Sequence, residues 1–119
     1  MTDKTSGLSV MERAKAHQRK VLTQKPRSFY VEEWETTFYI RPTMTLQQKC
    51  EITELAESGQ KAKSYALTIV YNMWDEDGKP VFRKVQIDEL TKEVNCEVLE
   101  RIATEIGRDE PTVEELEKN

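Results

Sequence analysis

Between Pro26 and Pro42 the apolar residues of this chain alternate, whereas elsewhere they recur at three- and four-residue spacings. In Ser28–Arg41 β-branched and aromatic side chains dominate, and Thr36, Phe38 and Ile40 fall on one face at period two. The pattern fits two short strands joined near Glu33–Glu35, with Pro42 stopping the second. A lone hairpin is unstable in water, so one of its faces must be covered by helices or by another subunit. The chain is therefore expected to be α+β, mostly helical, with about four helices and one β-hairpin in its N-terminal half.

The helical stretches carry their own start and stop signals. Thr45 and Gln48 form a capping box, and the helix behind them is expected to run to about Glu57. It should bury Leu46, Cys50, part of Ile52, Leu55 and Ala56, with Ser58-Gly59 ending it. The most apolar segment, about Lys61–Trp74, sets Ala62, Tyr65, Ala66, Ile69, Val70 and Met73 on one stripe and is expected to be the core helix. Asp75–Pro80 is a solvated turn. Helix returns near Lys84 with Val85, Ile87 and Leu90, and Asn95 caps a last stripe of Val98, Leu99, Ile102, Ala103 and Ile106 before Gly107. The pattern leaves open whether Val94-Asn95 breaks this helix or kinks it. Toward the N-terminus, Ser9 and Glu12 can cap a helix to about Leu22 whose stripe (Val10, Ala14, Val21, Leu22) is thin, so it needs a partner. The chain thus divides into a basic arm, 1–26, partly helical or mobile, a single α+β domain, 27–107, and an acidic frayed tail, 108–119.

Composition excludes more than it selects. At 119 residues the chain is one domain, and no apolar run approaches the roughly 20 residues that span a bilayer. Met1–Val10 lacks the apolar stretch of a signal peptide, so a soluble, cytosolic protein is expected. One histidine, His17, rules out a His-based metal site or a Ser-His-Asp triad within one chain. Four scattered glycines rule out a P-loop or dinucleotide fingerprint. Asp75, Asp77 and Gly78 match part of an EF-hand loop, but Met73 and Lys84 stand where it needs carboxylates. Cys50 and Cys96 are isolated thiols, read as small core residues. No nucleophile, base and orienter come together, so neither an enzyme nor a cofactor or metal is expected.

Charge is unevenly spread. Residues 1–30 hold seven basic side chains against Asp3 and Glu12, a net of +5; the whole-chain −4 then leaves −9 for residues 31–119. Nucleic acid is nevertheless an unfavoured partner, because the arm lacks interleaved aromatics and the body repels phosphate. A small regulator that uses the arm on nucleic acid is the chief alternative function. Glu32, Glu33 and Glu35 beside Trp34 read as a charged hairpin tip serving solubility and edge protection. Large aromatics serve both cores and interfaces, and the partner-binding candidates are Phe29, Trp34, Phe38, Tyr39, Arg41 and Trp74. Trp34, at the tip, has the better claim to a contact surface; Trp74 is mainly structural. The unburied stripes point to self-association.

The order of these features resembles a known family. A short basic helix leads to Trp34-Glu-Thr-Thr-Phe-Tyr-Ile-Arg41. A Thr-capped helix follows, then an apolar helix running into Trp74-Asp-Glu-Asp-Gly-Lys-Pro-Val-Phe82, then Asp88-Glu-Leu and a Glu-Val-Leu-Glu-Arg-Ile helix. From about Val10 to Ile106 this is similar to the tail assembly chaperones of long non-contractile-tailed, lambda-like bacteriophages. The resemblance implies a non-enzymatic protein of the host bacterial cytoplasm that is absent from the mature virion. Such a protein binds the tape measure protein, keeps it soluble, helps to recruit tail tube protein and forms homo-oligomers; a structural tail subunit is the neighbouring alternative. It also implies a longer form made by ribosomal frameshifting, for which Lys118-Asn119 allows a slippery AAA-AAC.

Overall fold

The computed structural model describes residues 9–108. The acidic tail beyond Arg108 and the Lys118-Asn119 end lie outside them. The elements are α1 (Val10–Leu22), β1 (Arg27–Val31), β2 (Thr36–Ile40), α2 (Leu46–Glu57), α3 (Lys61–Asn72), β3 (Met73–Trp74), α4 (Ile87–Glu93) and α5 (Cys96–Ile106). Single 3-10 turns occupy Glu32–Trp34 and Lys84–Gln86. The chain is α+β and mostly helical, as its periodicity requires, with five α-helices among the described residues where about four were expected. The count differs because Val94 is extended (φ −116°, ψ 145°) and the Asn95 side chain accepts from the Val98 N–H at 3.1 Å, starting a new helix rather than kinking an old one.

The strands form an antiparallel sheet in the order β1-β2-β3. Phe29 faces Phe38 and Val31 faces Thr36, and the 3-10 turn between the strands closes on Glu35, a left-handed residue at φ 48°. The third strand is a correction to the sequence reading. The core helix ends at Asn72, two residues early, and Met73 and Trp74 pair with Ile40 and Tyr39. The Arg41 N–H donates to the Asn72 carbonyl at 2.8 Å and the Val81 N–H to the Met73 carbonyl at 3.1 Å. Backbone groups that further helix would have used are thus satisfied across chain segments.

Helix α3 is the hub. Its Ile69, with Met73 just beyond, is fully buried against Val31 and Phe38 of the sheet and Val98 and Ile102 of α5. Ala66 and Val70 meet Leu90 of α4. Each of these side chains larger than alanine stabilises the fold by roughly 1.5–3 kcal/mol through removal from water. Buried Ser64 and Asn72 on the same helix donate to the carbonyls of Ile52 (3.1 Å) and Thr68 (2.9 Å), so neither is left unsatisfied.

Four expected core groups are displaced. Helix α2 buries no residue completely: Leu46, Cys50 and Ala56 are exposed, and the half-buried side chains are Gln48, Glu51, Ile52 and Leu55. That set follows i, i+3/i+4, i+7 spacing from Gln48, and Leu46 and Cys50 fall off it. Cys96 is likewise exposed, its thiol hydrogen-bonded to Glu100 at 3.1 Å in the first turn of α5. On α3, Ala62 and Tyr65 face outward while Leu67 is buried in their stead. Val85 is exposed in the 3-10 turn before α4. In α1 the Ser9 cap forms as expected, at 3.1 Å to the Glu12 N–H, and no side chain of the helix is buried. Among the described residues no helix is long and apolar enough to cross a membrane.

Candidate functional site

The alternation of the hairpin divides the six contact candidates between two sheet faces. Phe29, Phe38 and, from the tip, Trp34 turn toward the core. Phe38 is buried, 6.0 Å from the Phe29 ring, and Trp34 stands edge-on to both Phe38 (5.9 Å) and Phe82 (6.2 Å). Edge-to-face geometry is the preferred packing of such rings, so the half-buried Trp34 closes the end of the core. Tyr39 and Trp74 are register partners on the opposite face, and the Arg41 guanidinium lies 6.0 Å from the Trp74 ring centroid. Tyr30, two residues along β1 from the partner of Tyr39, shares this outer face and is 60% exposed. The structure therefore gathers Tyr39, Arg41 and Trp74, adds Tyr30, and separates them from Phe29, Trp34 and Phe38. Tyr30 was legible in principle, because it alternates with Phe29 and Val31. Beside it, the outer edge of β1 pairs with no strand among the described residues.

Arg41 is held from several sides. Its Nη1 donates to Gln48 Oε1 at 3.1 Å, and the same oxygen accepts the Thr45 N–H at 3.0 Å, so the capping box of α2 also orients the arginine. Its Nε is buried without a hydrogen-bond partner, and desolvation lowers its pKa from the ordinary arginine value. At the tip, Arg101 of α5 donates from Nη1 and Nη2 to the two carboxylate oxygens of Glu33, at 2.8 and 2.7 Å. Those hydrogen bonds bring the Glu33 carboxyl down to about 2. The acidic tip is thus tied to α5 as well as solvated.

A third polar cluster joins α2, α3 and the second 3-10 turn. The Tyr71 O–H donates to Glu51 Oε2, and Lys84 Nζ lies 3.4 Å from that oxygen and 5.0 Å from the Tyr71 ring centroid. Desolvation, then the bond to Glu51, raises the Tyr71 pKa; the same hydrogen bond lowers that of Glu51. A phenol that holds its proton more firmly is no base, so the cluster acts as a tie between elements. No sequence signal announces it, since Glu51 and Lys84 are far apart in the chain. Among the described residues no group of three or more His, Cys, Asp or Glu is placed to hold a metal ion.

The fold and surface thus define a small, mostly helical α+β domain whose outer sheet face carries aromatics and an arginine. No family model matches the chain, and no curated protein matches it. Its fold is similar to a solved structure, that of the bacteriophage HK97 tail assembly chaperone. The TM-score is 0.59 at 13% sequence identity, over 76% of this chain and 94% of that one.

Proposed function

We propose that this chain is a non-enzymatic tail assembly chaperone of a bacteriophage with a long non-contractile tail. The observation that carries this reading is the extent of the fold likeness, which takes in 94% of the HK97 chaperone chain. In the proposed role the protein works in the host bacterial cytoplasm and is left out of the mature virion. It binds the tape measure protein, keeps that long apolar rod soluble and helps to bring tail tube subunits to it. Homo-oligomers coat the rod. The open edge of β1 and the aromatic outer face supply contact surface of the kind reversible partners use, and the charged remainder discourages aggregation.

Co-expression with the tape measure protein of the same genome tests the proposal. The tape measure is expected to be soluble only when this chain, or its longer frameshifted form, is present, and to co-purify with it. Tyr30→Ser, on the exposed outer face, is expected to weaken co-purification while leaving the fold intact. An insoluble tape measure with either form, or abundant protein in purified virions, would overturn the chaperone role; the second outcome would favour a structural tail subunit.

A further inference from the structure

An acidic chain has concentrated positive charge around one cleft. The cleft is about 510 Å³, and its lining includes Lys25 before β1, Arg27 on β1, Arg41 after β2, Lys49 on α2 and Arg108 after α5. Four separate segments bring these five cations together, in a chain whose net charge is −4. One carboxylate, Glu105, answers them in part, 3.8 Å from Arg27 and 3.5 Å from Arg108. Arg27 also donates to the Glu105 main-chain carbonyl at 3.2 Å, which offsets the negative C-terminal end of α5. Among the described residues, Lys25, Arg41 and Lys49 have no carboxylate within ion-pair distance. Arg41 lines the cleft and the neighbouring cavity that holds Gln48 and Trp74, and its buried Nε has no hydrogen-bond partner. Converging like charges repel one another, and an anionic ligand relieves that repulsion.

We propose that this cleft is a binding site for a short acidic peptide segment of a partner protein. The size is that of a site for a few residues. Arginine and lysine donors suit carboxylates, and Pro26, Ile40 and Ile106 in the same lining can take the aliphatic stems of glutamates. A long polyanion is disfavoured, because residues 31–119 carry a net charge of −9 that repels it. The chemistry of the cleft is independent of the tail-assembly reading.

The test is fluorescence anisotropy on the full chain with a labelled oligoglutamate peptide, competed by inorganic phosphate and by oligothymidylate. The peptide is expected to bind at low salt and to weaken as salt rises. Lys25→Gln and Lys49→Gln, both on exposed side chains that the fold does not need, are each expected to weaken binding by about threefold, and together by about tenfold. Lys63→Gln, outside the cleft, should leave binding unchanged. Because Asp109 and Glu110 follow Arg108 directly, the series is repeated on Asp109→Asn/Glu110→Gln; tighter peptide binding there also supports the site. Absence of binding at low salt in both backgrounds would overturn the proposal, as would indifference to Lys25→Gln and Lys49→Gln. So would tighter binding of oligothymidylate, which would give the cleft to nucleic acid, or full competition by equimolar phosphate, which would make it a small-anion site.

Discussion

Glu33 and Ile69 show how differently single residues hold this fold. Glu33 is about half exposed and contributes through its two hydrogen bonds to Arg101. Its folded-state pKa of about 2 lies below the ordinary 4.5, so its stabilisation is complete above 4.5 and is lost as pH falls toward about 2. Glu33→Gln is therefore expected to lower the urea midpoint at neutral pH, and the gap from the parent chain should close as pH falls through that window. Added salt should narrow it as well, because the pair faces solvent. Urea titrations at several pH values check this; a gap that persists at the acid end would show that the pair is not its source. Ile69, in contrast, is 0% exposed and central to the core. Ile69→Ala should cost about 2–5 kcal/mol by leaving a cavity. Leu46→Ala, at a position 79% exposed, should stay within about 0.5 kcal/mol in the same assay. That contrast reverses what hydrophobicity alone says of Leu46.

At the scale of elements, what the sequence made legible was local and what it hid was tertiary. The hairpin was readable because alternation, an acidic tip and a following proline all act within about fifteen residues. The caps at Ser9, Thr45 and Asn95 were readable for the same reason, and all three accept the expected backbone N–H. Strand β3 was not, because two residues have no period; Met73 and Trp74 become a strand only through β2 alongside. On α2 only Ile52 and Leu55 of the expected stripe are half-buried, because its inner face is chosen in part by Tyr71 of α3, twenty residues beyond its partner Glu51. The contact candidates are Arg41 and the aromatics of one hairpin and its neighbour, and their division between two faces depends on strand register. The double use of Gln48 gives this scale its prediction. Thr45→Ala removes the oxygen that accepts the Gln48 N–H at 3.2 Å and should cost about 1 kcal/mol. Gln48→Ala removes the partner of both the Thr45 N–H and Arg41 Nη1, and is expected to cost more than Thr45→Ala. Equal losses in thermal unfolding would show that the Arg41 contact adds nothing.

At the scale of the whole molecule, α1 is the element the rest of the fold does not explain. Its thirteen residues bury no side chain, and Val10 and Met11 are 77% and 63% exposed. A helix of that length is marginal by itself in water, and beyond the half-buried Ala16, Gln18, Val21 and Leu22 it is expected to gain stability by docking on a partner. The charge division is consistent with such docking: the first thirty residues carry +5 and the remainder of the sequence −9, so opposite charges are available for an arm from one copy to meet another. Deleting residues 1–22 is therefore expected to leave the body's urea midpoint within about 0.5 kcal/mol of the full chain, because no core contact is removed. The same deletion should abolish self-association measured by light scattering at moderate salt. In the full chain, helical circular dichroism per residue should rise with concentration as α1 finds its partner, and raised salt should reverse that rise if charge steers the docking. If the truncated chain associates as strongly as the full one, the contact runs through the open edge of β1 instead. Disruption by Tyr30→Lys on that strand would then be the expected signature, since a lysine on an edge strand opposes strand-to-strand pairing.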